Sequence, residues 1–347
     1  MKIALSLFDG MSCGQLALQR AGISVDYYLA SEVDQYAMTV AKKNFPEMEH
    51  IGDVREVDGT SMVSPFILMG GSPCQSFSFA GTQKGMATER GEEITTLERY
   101  LELKGEGFQF SGQSYLFWEY VRILRETKPK YFLLENVKMA KKWEDVISET
   151  LGVRPIVINS ALVSAQNRKR LYWTNIPDIT QPEDRRLLLR DIIEKGIVDR
   201  EKSLCVTTRV AGATAKRYLE KKHHQMVLDG VSISEKLEIK EFKKNAICHH
   251  VANATDIKGN ESNKRIYADS GKAPTLTTMG GGHREPKILT SGLSWRKLTP
   301  LECERLQTVP ENYTAHVSNS QRYKMIGNGW TVDVIAHILS HIPEEEK

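Results

Sequence analysis

Cysteine is scarce in this sequence and badly spaced for staples. The five residues, Cys13, Cys74, Cys205, Cys248 and Cys303, include no Cys-x-x-Cys pair. An odd count without that spacing argues against a disulfide framework and a zinc site, and fits a reducing cytoplasm. Each cysteine is then by default a small inert hydrophobe, unless local context makes it a thiolate. Runs of eighteen apolar residues are absent, which argues against a membrane-spanning helix. Residues 1–10 hold too short an apolar stretch for a signal peptide and read instead as a first buried strand. No internal repeat is evident. A strong charge of one sign is missing too, since the net charge is only +3.

What is present describes a globular chain. Of 347 residues, 40% are hydrophobic and 26% charged, a composition that suits one large domain with a second lobe, or two ordinary domains. The basic charge is uneven. Between 202 and 222, Lys202, Arg209, Lys216, Arg217, Lys221 and Lys222 face only Glu220. Such a strip suits phosphate contacts, and equally a solvated face. The histidine pairs His223-His224 and His249-His250 lack the spacing of metal ligands on a helix and read as surface residues.

The first 177 residues alternate short apolar runs with helical patterns. Strands are expected at 3–8, 27–30, 66–69 and 131–134, and helices at 15–21, 35–44 and 115–127. This alternation predicts an α/β fold, a mostly parallel sheet covered by helices. Ligands of such sheets sit at the carboxyl ends of the strands. From 178 the alternation weakens; ordered helical segments return at 295–307 and 327–339, as in a domain interrupted by an insertion. Segment 84–113 is a long polar loop with a helical piece near 97–103, and loops of that length are usually functional or mobile.

The chemistry should therefore lie just past the strands. The first ends in Phe8-Asp9-Gly10-Met11-Ser12-Cys13, a glycine turn that lets a cofactor approach the backbone. The second ends in Ser31-Glu32-Val33, with a carboxylate placed for ribose hydroxyls. A third turn carries Asp53 and Val54, with Asp53 suited to an adenine amino group. Each alone reads as a surface turn, but three in order favour an adenosine-containing cofactor. The first turn lacks the G-x-G-x-x-G spacing of a dinucleotide oxidoreductase. Cys74 directly follows Pro73, in a restricted turn past a buried strand, which is a position for a reactive thiolate. Glu135 ends another strand. In Gln166-Asn167-Arg168-Lys169-Arg170 the alternating Gln166, Arg168 and Arg170 share a face if the segment is extended; otherwise it is an exposed basic turn.

Together these residues closely resemble the DNA cytosine-5 methyltransferases. The order Phe-x-Gly, Glu, Asp, Pro73-Cys74-Gln75, Glu135-Asn136-Val137, Gln-x-Arg-x-Arg, then Gly327-Asn328 follows that family's motif series over roughly residues 3 to 340. The spelling of residues 5–10 and Trp330 look like the branch with the animal de novo enzymes. The Gln-x-Arg-x-Arg segment and the large insert look like bacterial and phage enzymes.

The resemblance implies a Rossmann-like SAM-dependent fold: a catalytic domain at 1–177, a smaller irregular target recognition domain at 178–293, and a segment at 294–347 completing the catalytic domain. It implies S-adenosylmethionine (SAM) as cofactor, held by Phe8, Asp9, Gly10, Met11, Ser12, Cys13, Glu32, Val33, Asp53, Val54, Asn328, Gly329 and Trp330. Gly329 stands where a small Ser or Ala is common. Cys74 would add to carbon 6 of a flipped cytosine. Glu135 would bind the N3 and amino edge, with a proton kept on it by burial. Arg168 would stabilise the ring carbonyl and help orient Glu135. Gln75, Ser76, Ser78, Arg170, Ser262, Arg265 and Thr275 would meet DNA, although Arg170 could instead brace the site. The segment after Cys74 would close over the DNA. The implied partner is double-stranded DNA, without metal or membrane, and a monomer acts in the cytoplasm of a bacterial or phage-infected cell. A tRNA-directed relative would have a much smaller recognition region. A silent DNA-binding relative would lack Cys74 or Glu135.

Overall fold

The computed structural model describes residues 1–73, 86–188, 191–192, 194, 237–239, 247–276, 278, 284–289 and 295–347. The basic strip at 202–222, His223-His224, and the four residues Cys74, Gln75, Ser76 and Ser78 lie outside them.

The described chain begins with β1 (Ile3–Leu7), α1 (Cys13–Arg20), β2 (Tyr27–Ser31), α2 (Gln35–Asn44), β3 (Glu49–Gly52) and β4 (Ile67–Gly70). After 74–85 come β5 (Ala87–Thr88), α3 (Leu97–Gly105), β6 (Phe110–Ser111), α4 (Phe117–Thr127), β7 (Tyr131–Val137), α5 (Lys141–Leu151), β8 (Ile156–Asn159) and β9 (Lys169–Thr174). One seven-stranded sheet has the order β3-β2-β1-β4-β7-β9-β8. The pairs β3-β2, β2-β1, β1-β4 and β4-β7 are parallel, while β9 runs antiparallel to β7 and β8. The α/β expectation holds, with a mixed, mostly parallel sheet.

The strands read as apolar runs because the sheet is covered on both faces. All five residues of β1 are buried. Ala4 joins a core shared with Leu16, Val40 and Ile335, whereas Leu5 and Leu7 join another with Phe117, Trp118 and Ile147. The helices are bounded by local chemistry. The Asp34 carboxylate accepts the amides of Tyr36 and Ala37 to start α2. Gly152, at φ 70°, closes α5 in the left-handed region.

The later chain comprises β10 (Leu237–Ile239), β11 (His250–Ala254), the short turn α6 (Glu261–Lys264), β12 (Arg265–Tyr267), β13 (Lys287–Leu289), β14 (Trp295–Lys297), α7 (Pro300–Leu306), α8 (Asn319–Asn328) and α9 (Val332–Ser340). Strands β10 to β14 form a second sheet in chain order. α9 returns to pack along α1.

Three expectations change here. Segment 295–307 is not one helix: β14 pairs with β13 before α7 begins. Proline drives the preceding residue to extended backbone, so the helix starts only at Pro300, with Thr299 and Glu302 making a capping box. The second sheet thereby runs past 293. Gly327 does not open the last helix: it lies in the last turn of α8, Gly329 and Trp330 leave the helix, and α9 starts at Val332. His249 and His250 are half-buried rather than on the surface; their rings meet Ser270 Oγ (3.0 Å) and Asn253 Oδ1 (2.7 Å).

Candidate active site

The turn after β1 is wound unusually tightly. Phe8 (φ 57°), Gly10 (φ 60°) and Ser12 (φ 62°) all take left-handed backbone. Two of these are not glycine, and such strain persists only where the surroundings impose it, often at functional sites. Here the Asp9 amide donates to Ser31 O (3.1 Å), while the Gly10 amide donates to Glu32 Oε2 (2.8 Å). Glu32 Oε1 accepts the amides of Val33 (2.7 Å) and Asp34 (2.8 Å). Thus Glu32 ties the ends of β1 and β2 together. A carboxylate offers about four acceptor positions, which leaves room for a ribose hydroxyl. Val33 beside it is 62% exposed, an apolar side chain free to cover a flat ring.

Asp9 lies beneath this turn, buried, accepting hydroxyls from Ser12 and from Tyr28 (2.6 Å). Burial pushes its carboxyl up to about 6. The folded state therefore holds this proton more tightly than the unfolded chain does. That contribution to stability is complete below about pH 4 and lost as pH rises through about 6, roughly 3 kcal/mol in all. Chemical denaturation at a series of pH values should show Asp9→Asn losing this slope. An unchanged slope in the variant would assign it to other groups.

Met11 and Cys13 are buried in the same turn, and burial pushes the Cys13 thiol up to about 12. Gly329 packs directly against them. A Cβ there would lie 2.9 Å from Met11 Cε and 3.1 Å from the Met325 carbonyl. The Met11 methyl could move aside, but the Met325 carbonyl leaves little room for a Cβ at this position. Asp53, on the third strand's turn, forms a two-pronged pair with Arg55, whose Nε lies 3.0 Å from both oxygens. Arg55 holds the Asp53 carboxyl below the usual carboxylate range.

The second centre lies where β4 and β7 run side by side, with Gly70 opposite Leu134. Just beyond, a Cβ on Gly71 would meet Trp330 Nε1 at 2.9 Å and Glu135 Oε2 at 3.3 Å. Only Gly fits between that indole and that carboxylate. Asn136, buried, donates to Ser72 Oγ (3.1 Å), which fixes the chain just before Pro73 and Cys74. The strand ends therefore bring Gly71 and Ser72, which lead to Pro73, beside Glu135 and Asn136.

The antiparallel pairing of β7 with β9 sets Glu135 opposite Tyr172 and Val137 opposite Arg170. Glu135 and Arg170 are consequently diagonal neighbours on one face. Arg170 Nε lies 3.0 Å from Glu135 Oε1, with both side chains mostly buried. Arg168 goes elsewhere. It is buried and donates to the carbonyls of Leu276 (3.2 Å), Gly327 (3.3 Å) and Gly329 (3.0 Å). The arginine paired with Glu135 is thus Arg170, two positions beyond Arg168. Gln166 shares the seam with Arg168, not the Glu135 face: its Nε2 donates to Leu306 O (3.1 Å) and its Oε1 accepts Leu276 N (2.9 Å).

In the second sheet, Ser262 and Arg265 are exposed at and just after α6. Thr275 is half-buried, its hydroxyl donating to Asn167 O (2.7 Å).

Sequence reasoning missed two sets of residues. Gln307, fully buried, donates to Ile326 O (2.7 Å) and Gly329 O (3.0 Å) and accepts the Thr331 hydroxyl (2.8 Å), so it shapes the Asn328-Gly329-Trp330 turn. Arg122 of α4 donates to Val57 O (2.8 Å) and Val54 O (3.0 Å) and pairs with the buried Glu119 (2.7 Å), bracing the segment after Asp53. Tyr100 and Lys104 of α3 bind the same Glu119, which joins segment 84–113 to that brace. The only sequence signal was the three-residue spacing of Glu119 and Arg122.

The chain matches the family model of C-5 cytosine-specific DNA methylases over residues 3–344. The chain belongs to that family. This methylase is 28% identical to the type II methyltransferase M.HhaI of Haemophilus parahaemolyticus, over 97% of this chain and 93% of that one. It is 26% identical to the orphan methyltransferase M.SPBetaI of Bacillus phage SPbeta, over 97% and 96%. Its fold matches the solved Entamoeba histolytica methyltransferase EhMeth with a TM-score of 0.63 at 13% identity, covering 100% of this chain and 99% of that one. The methylase transfers the methyl group of SAM to carbon 5 of cytosine in DNA at specific sites. SAM supplies an electrophilic methyl group on a sulfonium, and the left-handed turn, Glu32 and exposed Val33 fit its adenosine part. Among the described residues no helix is long and apolar enough to cross a membrane.

Proposed function

We propose that Cys74 is the nucleophile and that Glu135 and Arg170 form the pocket for a flipped cytosine. The observation that carries this reading is the Glu135–Arg170 pair (3.0 Å) beside Gly71, three residues before Cys74. The thiolate adds to carbon 6, which makes carbon 5 electron-rich. Glu135 engages the N3 and amino edge, and Arg170 holds that carboxyl and faces the ring carbonyl. Arg168 acts one layer back, through the carbonyls of the cofactor turn. The three described cysteines support the choice: burial raises the thiols of Cys13, Cys248 and Cys303, which keeps them protonated.

Phe8 to Cys13, Glu32, Val33, Asp53, Val54 and residues 328–330 form the SAM site in this reading. Residues 178–293 present Ser262, Arg265 and Thr275 to double-stranded DNA, with Gln75, Ser76 and Ser78 on the catalytic side. A monomer acts, without metal, in the cytoplasm of a bacterial or phage-infected cell.

The test is DNA synthesised with 5-fluorocytosine in place of cytosine. Fluorine cannot leave as a proton does, so a methylated adduct stays attached to the enzyme. Incubated with SAM, wild type should form a complex resistant to denaturants, with the nucleotide on the peptide containing Cys74. Attachment to another peptide, or none, would refute the assignment.

A further inference from the structure

Residues 272–276 belong to the inserted region, yet they fold back onto the catalytic part. Ala273 N donates to Ala165 O (2.6 Å), Asn167 N donates to Ala273 O (2.8 Å), and Gln166 and Ala273 make a parallel bridge. Lys272 lies at the head of this strand-like contact. Its ammonium donates to Ala161 O (2.6 Å), Ser164 O (3.2 Å) and Leu187 O (2.7 Å). An ammonium carries three protons, and three carbonyls take them.

Those acceptors come from different stretches of chain. Ala161 and Ser164 lie in and just after the 3-10 turn Ser160–Leu162, ahead of β9, which carries Arg170. Leu187 lies on the chain as it leaves the catalytic part, two residues after Arg185, whose amide donates to Leu162 O (2.8 Å). One half-buried cation thus ties the outgoing chain, the returning chain and the catalytic frame at one point.

We propose that Lys272 is a positioning residue for DNA, a clasp at the neck of the insert. It fixes the angle between the inserted region and the catalytic frame that carries Arg168 and β9. Placing a reactant demands sub-ångström constancy between the parts that hold it, and chain connections alone allow pivoting. The inference rests on reading 178–293 as the DNA-facing part. It assigns Lys272 no contact with DNA, SAM or cytosine.

Lys272→Met keeps the length of the stem and removes the charge; Lys272→Arg restores a cation with several donors. Steady-state methylation of unmethylated genomic DNA would give KM for DNA and for SAM, and thermal melting would report folding. For Lys272→Met, KM for DNA should rise about tenfold, with KM for SAM within about twofold and the melting temperature nearly unchanged. Lys272→Arg should recover most of the loss. Both KM values rising together with a large fall in melting temperature, unrescued by Arg, would overturn the proposal and leave Lys272 a structural residue. Arg265→Ala separates the two levels. If it raises KM for DNA while Lys272→Met does not, the clasp alone is wrong. If neither variant moves it, the reading of the insert fails and the clasp with it.

Discussion

Glu135→Gln is expected to lower kcat by roughly 10²- to 10⁴-fold, with KM for SAM close to wild type. The substitution keeps the size of the side chain but removes the charge that pairs with Arg170 at 3.0 Å. It also removes the one group at the end of β7 that can both accept from the cytosine amino group and carry a proton to N3. The proposed SAM site lies elsewhere, at Phe8 to Cys13 and Glu32 on the ends of β1 and β2 and at Gly329 just after α8, so cofactor affinity should survive. Arg170→Ala should produce a loss of similar size. Because the two residues act as a unit, the double variant should be little worse than the poorer single one. Single-turnover kinetics with saturating DNA and SAM would measure this. Additive losses would mean that the pair does not function as one.

Arg168→Ala should fail in a different way. Arg168 is buried on three carbonyls that belong to different segments: Leu276 from the insert, and Gly327 and Gly329 from the end of α8. Truncation leaves those acceptors without their charged donor, which costs roughly 3 kcal/mol or more of stability. The melting temperature should fall by several degrees, and KM for SAM should rise because the turn at 327–330 loosens. Arg170→Ala, which strands only the Glu135 carboxyl, should lose less stability than Arg168→Ala while losing far more turnover. Differential scanning calorimetry alongside SAM titration separates the two arginines. The reverse pattern, with Arg168→Ala stable but inactive, would return the catalytic role to Arg168.

That pair of arginines also marks where reading the sequence stopped. Strand ends were legible because a parallel sheet covered on both faces writes its strands as apolar runs, and β1, β2, β4 and β7 all do so. The chemistry past them followed from polar residues at those ends. The spacing of Gln166, Arg168 and Arg170 showed alternation but not its frame. β9 begins only at Lys169, and its antiparallel register against β7 decides which arginine meets Glu135. Register is a property of the pairing, so no local pattern revealed it. β3, with Glu49 and His50 among its four residues, gave no apolar run to read. The seam made by Gln166, Gln307 and Thr331 joins residues far apart in the chain, and buried polar networks of that kind have no sequence signature. The residues ahead of α7, an edge strand of the second sheet, read as helix because a three-residue strand leaves no period of its own.

The most direct test of cytosine-5 transfer by Cys74 is an assay for its product. The protein would be expressed in cells that lack cytosine-5 methylation, and their DNA digested to nucleosides and assayed by mass spectrometry for 5-methylcytosine, with Cys74→Ala as the control. The expected result is 5-methylcytosine from wild type and none from the variant, and bisulfite sequencing of the same DNA would then give the recognised word. Equal 5-methylcytosine from both would contradict Cys74 as nucleophile, and none from a folded, SAM-binding wild type would contradict methylation of DNA itself.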